Sequence, residues 1–199
     1  MPFCFEEGRT VDDESWLIEM VENEDHLQKL FHVADKYLEN DYVAAGCITQ
    51  TVWNHLHGYD SKHGLKDADI VYFNDQEDVG EEKLLEKNIR ANLGDFPLQV
   101  NVKNEAYVHL WYERKFGRPL AQYPSLEHAI DTWPTTASAI GLKKQEGKYS
   151  LYAPFGLEDL FSLVVRPNKR LVTEEVYLKK ASRWQKHWPR LKVMPWNEI

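Results

Sequence analysis

An α+β fold with a mixed β-sheet and flanking helices is what the sequence predicts, on three observations. Amphipathic helical stretches alternate with short strands, one strand runs through a glycine directly into a helix at 42–58, and residues 98–103 alternate apolar and polar with period two. In order, residues 12–22 and 25–39 form two amphipathic helices, the second gathering Leu27, Leu30, Phe31, Ala34 and Leu38 on one face. Tyr42 to Ala45 reads as a short buried strand that Gly46 breaks. Ile48, Val52 and Leu56, at steps of four, then set a helix that Gly58 closes as a left-handed cap. Past a polar loop, Asp69-Ile70-Val71-Tyr72-Phe73 has the branched and aromatic content of an interior strand. A helix near 80–92 follows, and Leu98, Val100 and Val102 mark a strand with one apolar face. Residues 104–116 turn helical and stop at Gly117, and a short helix runs from Ser125 to Trp133. Thr136 to Lys144 and Lys148 to Ala153 form a hairpin around Gln145-Glu146-Gly147. Leu157 to Leu163 is a helical turn, and Thr173 caps a last helix reaching Trp188, ahead of Pro189.

With 199 residues, 43% of them hydrophobic, and neither an internal repeat nor a Gly/Ser or Pro-rich linker, one domain over 1–199 is expected. It comprises an N-terminal helical segment (1–40), the core, and a basic C-terminal helix within 166–199. The 13% aromatic content excludes a disordered or collagenous chain. Apolar runs such as Tyr42 to Ile48 fall far short of the roughly 20 residues a membrane span needs. Met1-Pro2-Phe3-Cys4-Phe5-Glu6-Glu7 lacks the basic flank and apolar stretch of a secretory signal, and two cysteines make no disulfide framework, so a cytoplasmic location is expected. The net charge of −8 disfavours an unspecific hold on nucleic acid. The charge is polarised, net −9 over residues 1–41 and +7 over 166–192. Self-pairing of the two segments is the simpler explanation, with a polyanion site the alternative.

The sequence holds no Gly-rich Lys-Ser/Thr phosphate loop, dinucleotide fingerprint, His-Glu-x-x-His, Cys-x-x-Cys or Gly-x-Ser-x-Gly elbow. Cys47, amid Ala44-Ala45-Gly46 and Ile48, reads as a packed thiol rather than a nucleophile. His55 and His57, two apart on a helix, do not face each other, so these and His63 read as surface residues. Asp67-Ala68-Asp69 is different: carboxylates at i and i+2 of a strand project to one face about 7 Å apart, where a divalent cation would relieve their repulsion. A solvated loop-to-strand junction is the plain alternative. Upstream, Gly46 directly precedes a helix whose free N–H groups suit a phosphate, with Thr49 and Gln50 as further donors.

The order strand, Gly-helix, Asp-x-Asp strand, further strand resembles the DNA polymerase β-like nucleotidyltransferase superfamily, and more specifically its small nucleotidyltransferase-like proteins of about this length. The resemblance is carried by 44–53 (Ala44-Ala45-Gly46-Cys47-Ile48-Thr49-Gln50-Thr51-Val52-Trp53), 67–73, 104–112, Thr132-Trp133-Pro134-Thr135-Thr136-Ala137, and Tyr152 to Phe161 through Arg166-Pro167-Asn168-Lys169, covering about residue 30 to the end. It implies a nucleotidyltransferase-like core that moves an NMP group from an NTP, with Mg²⁺ or Mn²⁺, to an acceptor, more readily a small molecule than nucleic acid. Asp67 and Asp69 would bind the metals, and Gly46, Cys47 and the following turn would hold the β- and γ-phosphates. The resemblance also implies a third acid on the next strand, where this chain has Asn101, and Gln where it has Glu105, so it departs twice. An Asn carbonyl can ligate Mg²⁺ but brings no charge and accepts no proton. Glu105 is the candidate substitute, or else a first-turn Glu favoured by the helix dipole. Thr135, Thr136 and Ser138 could bond a base or ribose, or simply cap and pack. Arg166 and Lys169 could neutralise phosphate, or pair with the acidic N-terminal region. A catalytically impaired nucleotide-binding or interaction protein is the alternative outcome. Tyr177, Trp184 and Trp188, at steps of seven and four, read as a core stripe, and Trp53, Trp111 and Trp133 as packing residues.

Overall fold

The computed structural model describes residues 12–78 and 80–197. Asp12 opens α1 (Asp13–Glu22) by accepting from Ser15 N at 2.8 Å, and α2 (Asp25–Tyr37) buries Leu27, Leu30, Phe31 and Ala34, the predicted stripe. Then come β1 (Asp41–Ala44), α3 (Gly46–His57), β2 (Asp67–Tyr72), α4 (Glu81–Leu93) and β3 (Gln99–Asn104). With β4 (Gly141–Gln145) and β5 (Lys148–Tyr152) they build a five-stranded sheet of order β3-β2-β1-β4-β5. The sheet is mixed: β2 and β3 run parallel, joined by the α4 crossover such a pair requires, and the other pairs are antiparallel. β4 can lie against β1 because residue 141 is glycine; a Cβ there would come within 2.7 Å of the Tyr42 ring.

The pleat decides what each face carries. Ala68, Ile70, Val100 and Val102 point to the main core under α2, α3 and α4, whereas Ala44 and Val71 point to the opposite face. That second face is covered by α5 (His109–Phe116) and α6 (Leu126–Ile130). The single turn α7 (Glu158–Phe161) follows the hairpin, and along α8 (Glu174–His187) and just past it Tyr177, Trp184 and Trp188 are all buried, the last two packing on the Trp53 ring. The aromatic stripe is therefore core. No helix among the described residues is long and apolar enough to cross a membrane.

Several local expectations are corrected. Residue 45 is not the end of the strand: Ala45 takes φ 45°, ψ −107°, and Gly46 is already helical, so an alanine, not the glycine, makes the turn. Residues 104–116 are not one helix. Asn104 is the last residue of β3, its Oδ1 accepts from Ala106 N, and Glu105–Tyr107 is a single 3-10 turn ahead of α5. Thr136–Ser138 is a 3-10 turn as well, tied by the Thr135–Ser138 hydroxyl pair and by Ala139 N to Thr135 O, so the hairpin strand starts only at Gly141. A parallel pair of two-residue strands, β6 (Val164–Val165) and β7 (Lys192–Val193), was not legible because it joins residues far apart in sequence.

Candidate functional site

Asp67 and Asp69 leave β2 on the same side, with Ala68 fully buried on the other. The parallel register sets Asn101 of β3 beside Asp69, and Asn101 Nδ2 donates to Asp69 Oδ1 at 2.9 Å. Gln99 Nε2 in turn donates to Asn101 Oδ1 at 3.3 Å. On the other flank Asp69 pairs with Ala44, the residue before the strained Ala45 turn. A carboxylate, an amide and the start of α3 therefore stand side by side. Burial raises the Asp69 pKa; the Asn101 bond opposes it, the Asp67 charge reinforces it, and the Lys180 ammonium opposes it.

This row lies on the floor of a cavity of about 610 Å³, within the size range of small-molecule sites. Ala44, Ala45, Asp69, Val71 and Asn101 line the floor, while Trp111 and Tyr112 of α5, Tyr123 and Trp133 line the walls. Four cations reach it: Lys103, Lys115, Arg118 and Lys180. Lys115 Nζ stands 5.2 Å from the centre of the Trp111 ring and Arg118 Nη1 donates to Leu171 O at 3.0 Å. Lys180 extends from α8 over the Trp184 ring at 4.9 Å. Burial pushes its ammonium down to about 8, helped by Arg183 and opposed by Asp69 and Asp67. An amine held among two carboxylates in a cleft is the mark of an anion site as much as of an ion pair.

Glu105 lines the same cavity while only 7% exposed. Burial pushes its carboxyl up to about 8, with Lys103 opposing and the charges of Glu82 and Asp69 adding, which favours the protonated form. It lies in the 3-10 turn and not in the first turn of α5, which removes the helix-dipole explanation for it.

Of the other expected residues, Ser138 lines the cavity, whereas Asp67, exposed at the start of β2, and Gly46, Cys47, Thr49, Gln50, Thr135, Thr136, Arg166 and Lys169 lie outside its lining. Thr49 is fully buried and donates to Ala137 O at 3.3 Å, Cys47 is buried with Sγ against Ala44 O and its thiol pushed up to about 12, and Gln50 is buried beneath Gly46. The hydroxyl of Thr49 and the thiol of Cys47 are thus spent on the protein. Thr136 Oγ1 donates to Asp159 Oδ2 at 2.6 Å, and Arg166 grips the same carboxylate at 2.9 and 3.2 Å. Arg166 pairs with this local acid and Arg170 with Asp131, in place of the acidic N-terminal helices. Lys169 is exposed, 5.4 Å over the Trp196 ring. Lys180, Arg118, Trp111 and Trp133 were not singled out as site residues. The cations sit in or near basic runs that read as solvated, and the tryptophans read as packing, although both are only partly buried and line the cavity.

Among the described residues no group of three or more His, Cys, Asp or Glu is placed to hold a metal ion. The carboxylates of Asp67 and Asp69, on one face of β2, are hard oxygens of the kind that suit Mg²⁺ or Mn²⁺ completed by water and phosphate, whereas Asn101 turns its Nδ2 to Asp69 and its Oδ1 to Gln99.

No curated protein matches the sequence. A solved structure described as revealing a CCA-adding enzyme head domain, determined by NMR, is similar over 93% of this chain and 97% of its own, with a TM-score of 0.76 and 28% identity. A family model described as nucleotidyltransferase matches residues 32–193, the whole span from the second helix through the last strand. On that match the chain belongs to the nucleotidyltransferase family.

Proposed function

We propose that the cavity transfers a nucleoside monophosphate from an NTP to the hydroxyl of a small-molecule acceptor, with Mg²⁺ or Mn²⁺ held at Asp67 and Asp69. The observation that carries this reading is the row Asn101–Asp69–Ala44 on the cavity floor, joined by the 2.9 Å amide–carboxylate bond. A bound divalent cation would supply the positive charge that offsets negative charge growing on the phosphoryl oxygens. Gly46 offers a backbone N–H without an intrahelical acceptor, and Lys180, Lys115 and Arg118 offer cationic donors to the phosphates. The acceptor oxygen forms a bond to the α-phosphorus, the bond to the β-phosphate bridging oxygen breaks, and pyrophosphate leaves. Asn101 takes no proton, so the hydroxyl proton passes to solvent water.

Pyrophosphate release from labelled NTP with Mg²⁺ or Mn²⁺ and a panel of hydroxyl acceptors tests this, and loss of release in Asp69→Asn is the expected result. Asn101 itself favours a second reading, an impaired nucleotide-binding protein. Metal-dependent NTP binding with no release across the panel would select it.

A further inference from the structure

Glu105 is the one cavity-lining carboxyl without a hydrogen bond to the protein among the described residues, although it is more than nine-tenths buried. Its position is not accidental packing. Asn104, the preceding residue, is locked by five bonds: its N–H to Glu82 Oε2 at 2.7 Å, its Nδ2 to Asn74 O and Glu77 Oε2, each at 2.8 Å, and its Oδ1 from Asn74 N and Ala106 N, each at 3.1 Å. The turn that aims Glu105 inward is rigid, yet the carboxyl it aims has no partner. A polar group held away from bulk water in that condition is costly unless something else completes it. The completing partner belongs in the cavity.

The surroundings specify its chemistry. Trp111, Tyr112 and Tyr123 wall the end of the cavity at Glu105, flat surfaces that suit a planar ring. Tyr123 is held in place by its hydroxyl, 2.7 Å from Thr132 Oγ1. Asn101, which stands beside Asp69 on the neighbouring strand, lies four residues before Glu105, about 13 Å if the chain were fully extended, which leaves space for a nucleoside between the two ends. Burial favours the protonated carboxyl, which presents an O–H donor beside a carbonyl acceptor. That array complements the edge of a heterocycle carrying an acceptor beside an N–H.

We propose that Glu105, with the Trp111, Tyr112 and Tyr123 walls, binds the base of the donor nucleotide, making Glu105 a specificity-determining residue and not a substitute for the missing third acid. The inference rests on the transferase reading for its ligand class, and its test separates the two. Nucleotide binding is read by tryptophan fluorescence with ATP, CTP, GTP and UTP in Ca²⁺, and stability is read by the melting temperature of the ligand-free protein. In Glu105→Leu the unpartnered polar group is gone, so the melting temperature of the free protein is maintained or rises, while affinity for the best-bound NTP falls about tenfold or more. Glu105→Gln, which keeps a donor beside an acceptor, restores most of that affinity. Unchanged affinity in Glu105→Leu overturns this inference alone, and so does a drop in its free melting temperature, which would assign the carboxyl to the fold. Loss of turnover in Glu105→Gln with affinity intact would make Glu105 a proton acceptor and also overturn it. Absence of binding of any NTP by the wild-type protein would overturn both readings.

Discussion

Asn101 donates a hydrogen bond to Asp69 across the parallel β2–β3 pair, at the strand position where the resemblance implies an acid. The bond substitutes for a cation: it partly offsets the burial that raises the Asp69 pKa, and it needs no metal to form. An amide here holds Asp69 without an ion, while a carboxylate would make the pair depend on a bound one.

Asn101→Asp is accordingly expected to behave in two ways. Without divalent ions the variant loses about 1–3 kcal/mol, because two carboxylates replace a bonded pair in a half-buried place. Added Mg²⁺ or Mn²⁺ restores its melting temperature and raises pyrophosphate release at least tenfold. A variant whose melting temperature ignores both ions would show that the 101 position does not face a metal.

Much of this row was legible beforehand. The alternation Leu98, Val100, Val102 leaves Gln99, Asn101 and Lys103 for the Asp69 side, and among these three it is the resemblance that points to Asn101. The turn beside it was not legible, since Ala45 at positive φ contradicts the rule that glycine takes such places. The side chains of Thr49, Thr136 and Arg166 have partners inside the protein, and in sequence such a side chain looks like one kept for a ligand. Lys180 failed from the other direction. It sits in a basic helix whose other lysines are solvated, and only the packing of Trp184 against Trp53 turns its face toward Asp69.

That placement sets opposite expectations for two ligands of Lys180→Met. The ammonium is countercharge for Asp67 and Asp69, so its removal strengthens binding of Mn²⁺ to the nucleotide-free protein. It is also a phosphate donor, so KM for the NTP rises about tenfold or more, in line with the roughly 1.5–3 kcal/mol of a charge-assisted bond. Calorimetry with Mn²⁺ alone and steady-state kinetics measure the two effects. Parallel weakening of both ligands would indicate a general disturbance of α8.

Stability should carry a separate pH signature from Asp41, which is 3% exposed at the start of β1. Burial raises its pKa from 3.8 to about 6, Lys143 opposing and Asp35 adding. Below pH 4 the carboxyl is protonated in folded and unfolded chains alike. Between pH 4 and 6 the unfolded chain loses the proton first, so stability falls as pH rises. Above pH 6 the full penalty stands, about 3 kcal/mol for a rise of roughly two pKa units. Asp41→Asn therefore melts higher than wild type at pH 7.5 and equally at pH 4; a difference of the same size at both values would refute the assignment.

The far side of α3 is fastened to the C-terminal region by Asn54, which is fully buried and fully used. Its Nδ2 donates to Ser61 O at 2.8 Å and to His63 O at 2.9 Å, and its Oδ1 accepts from Trp188 Nε1 at 2.7 Å. One side chain thus joins α3, the 58–66 loop and the residue that ends α8, the helix carrying Lys180. Asn54→Ala strands an indole N–H and two carbonyls, a loss of about 3 kcal/mol or more. Because α8 is then less firmly seated, the NTP affinity that depends on Lys180 falls as well. Urea denaturation reads the first effect and nucleotide titration under folding conditions the second. Full affinity in a destabilised but folded variant would show that α8 keeps its position through the Trp53–Trp184 contact alone.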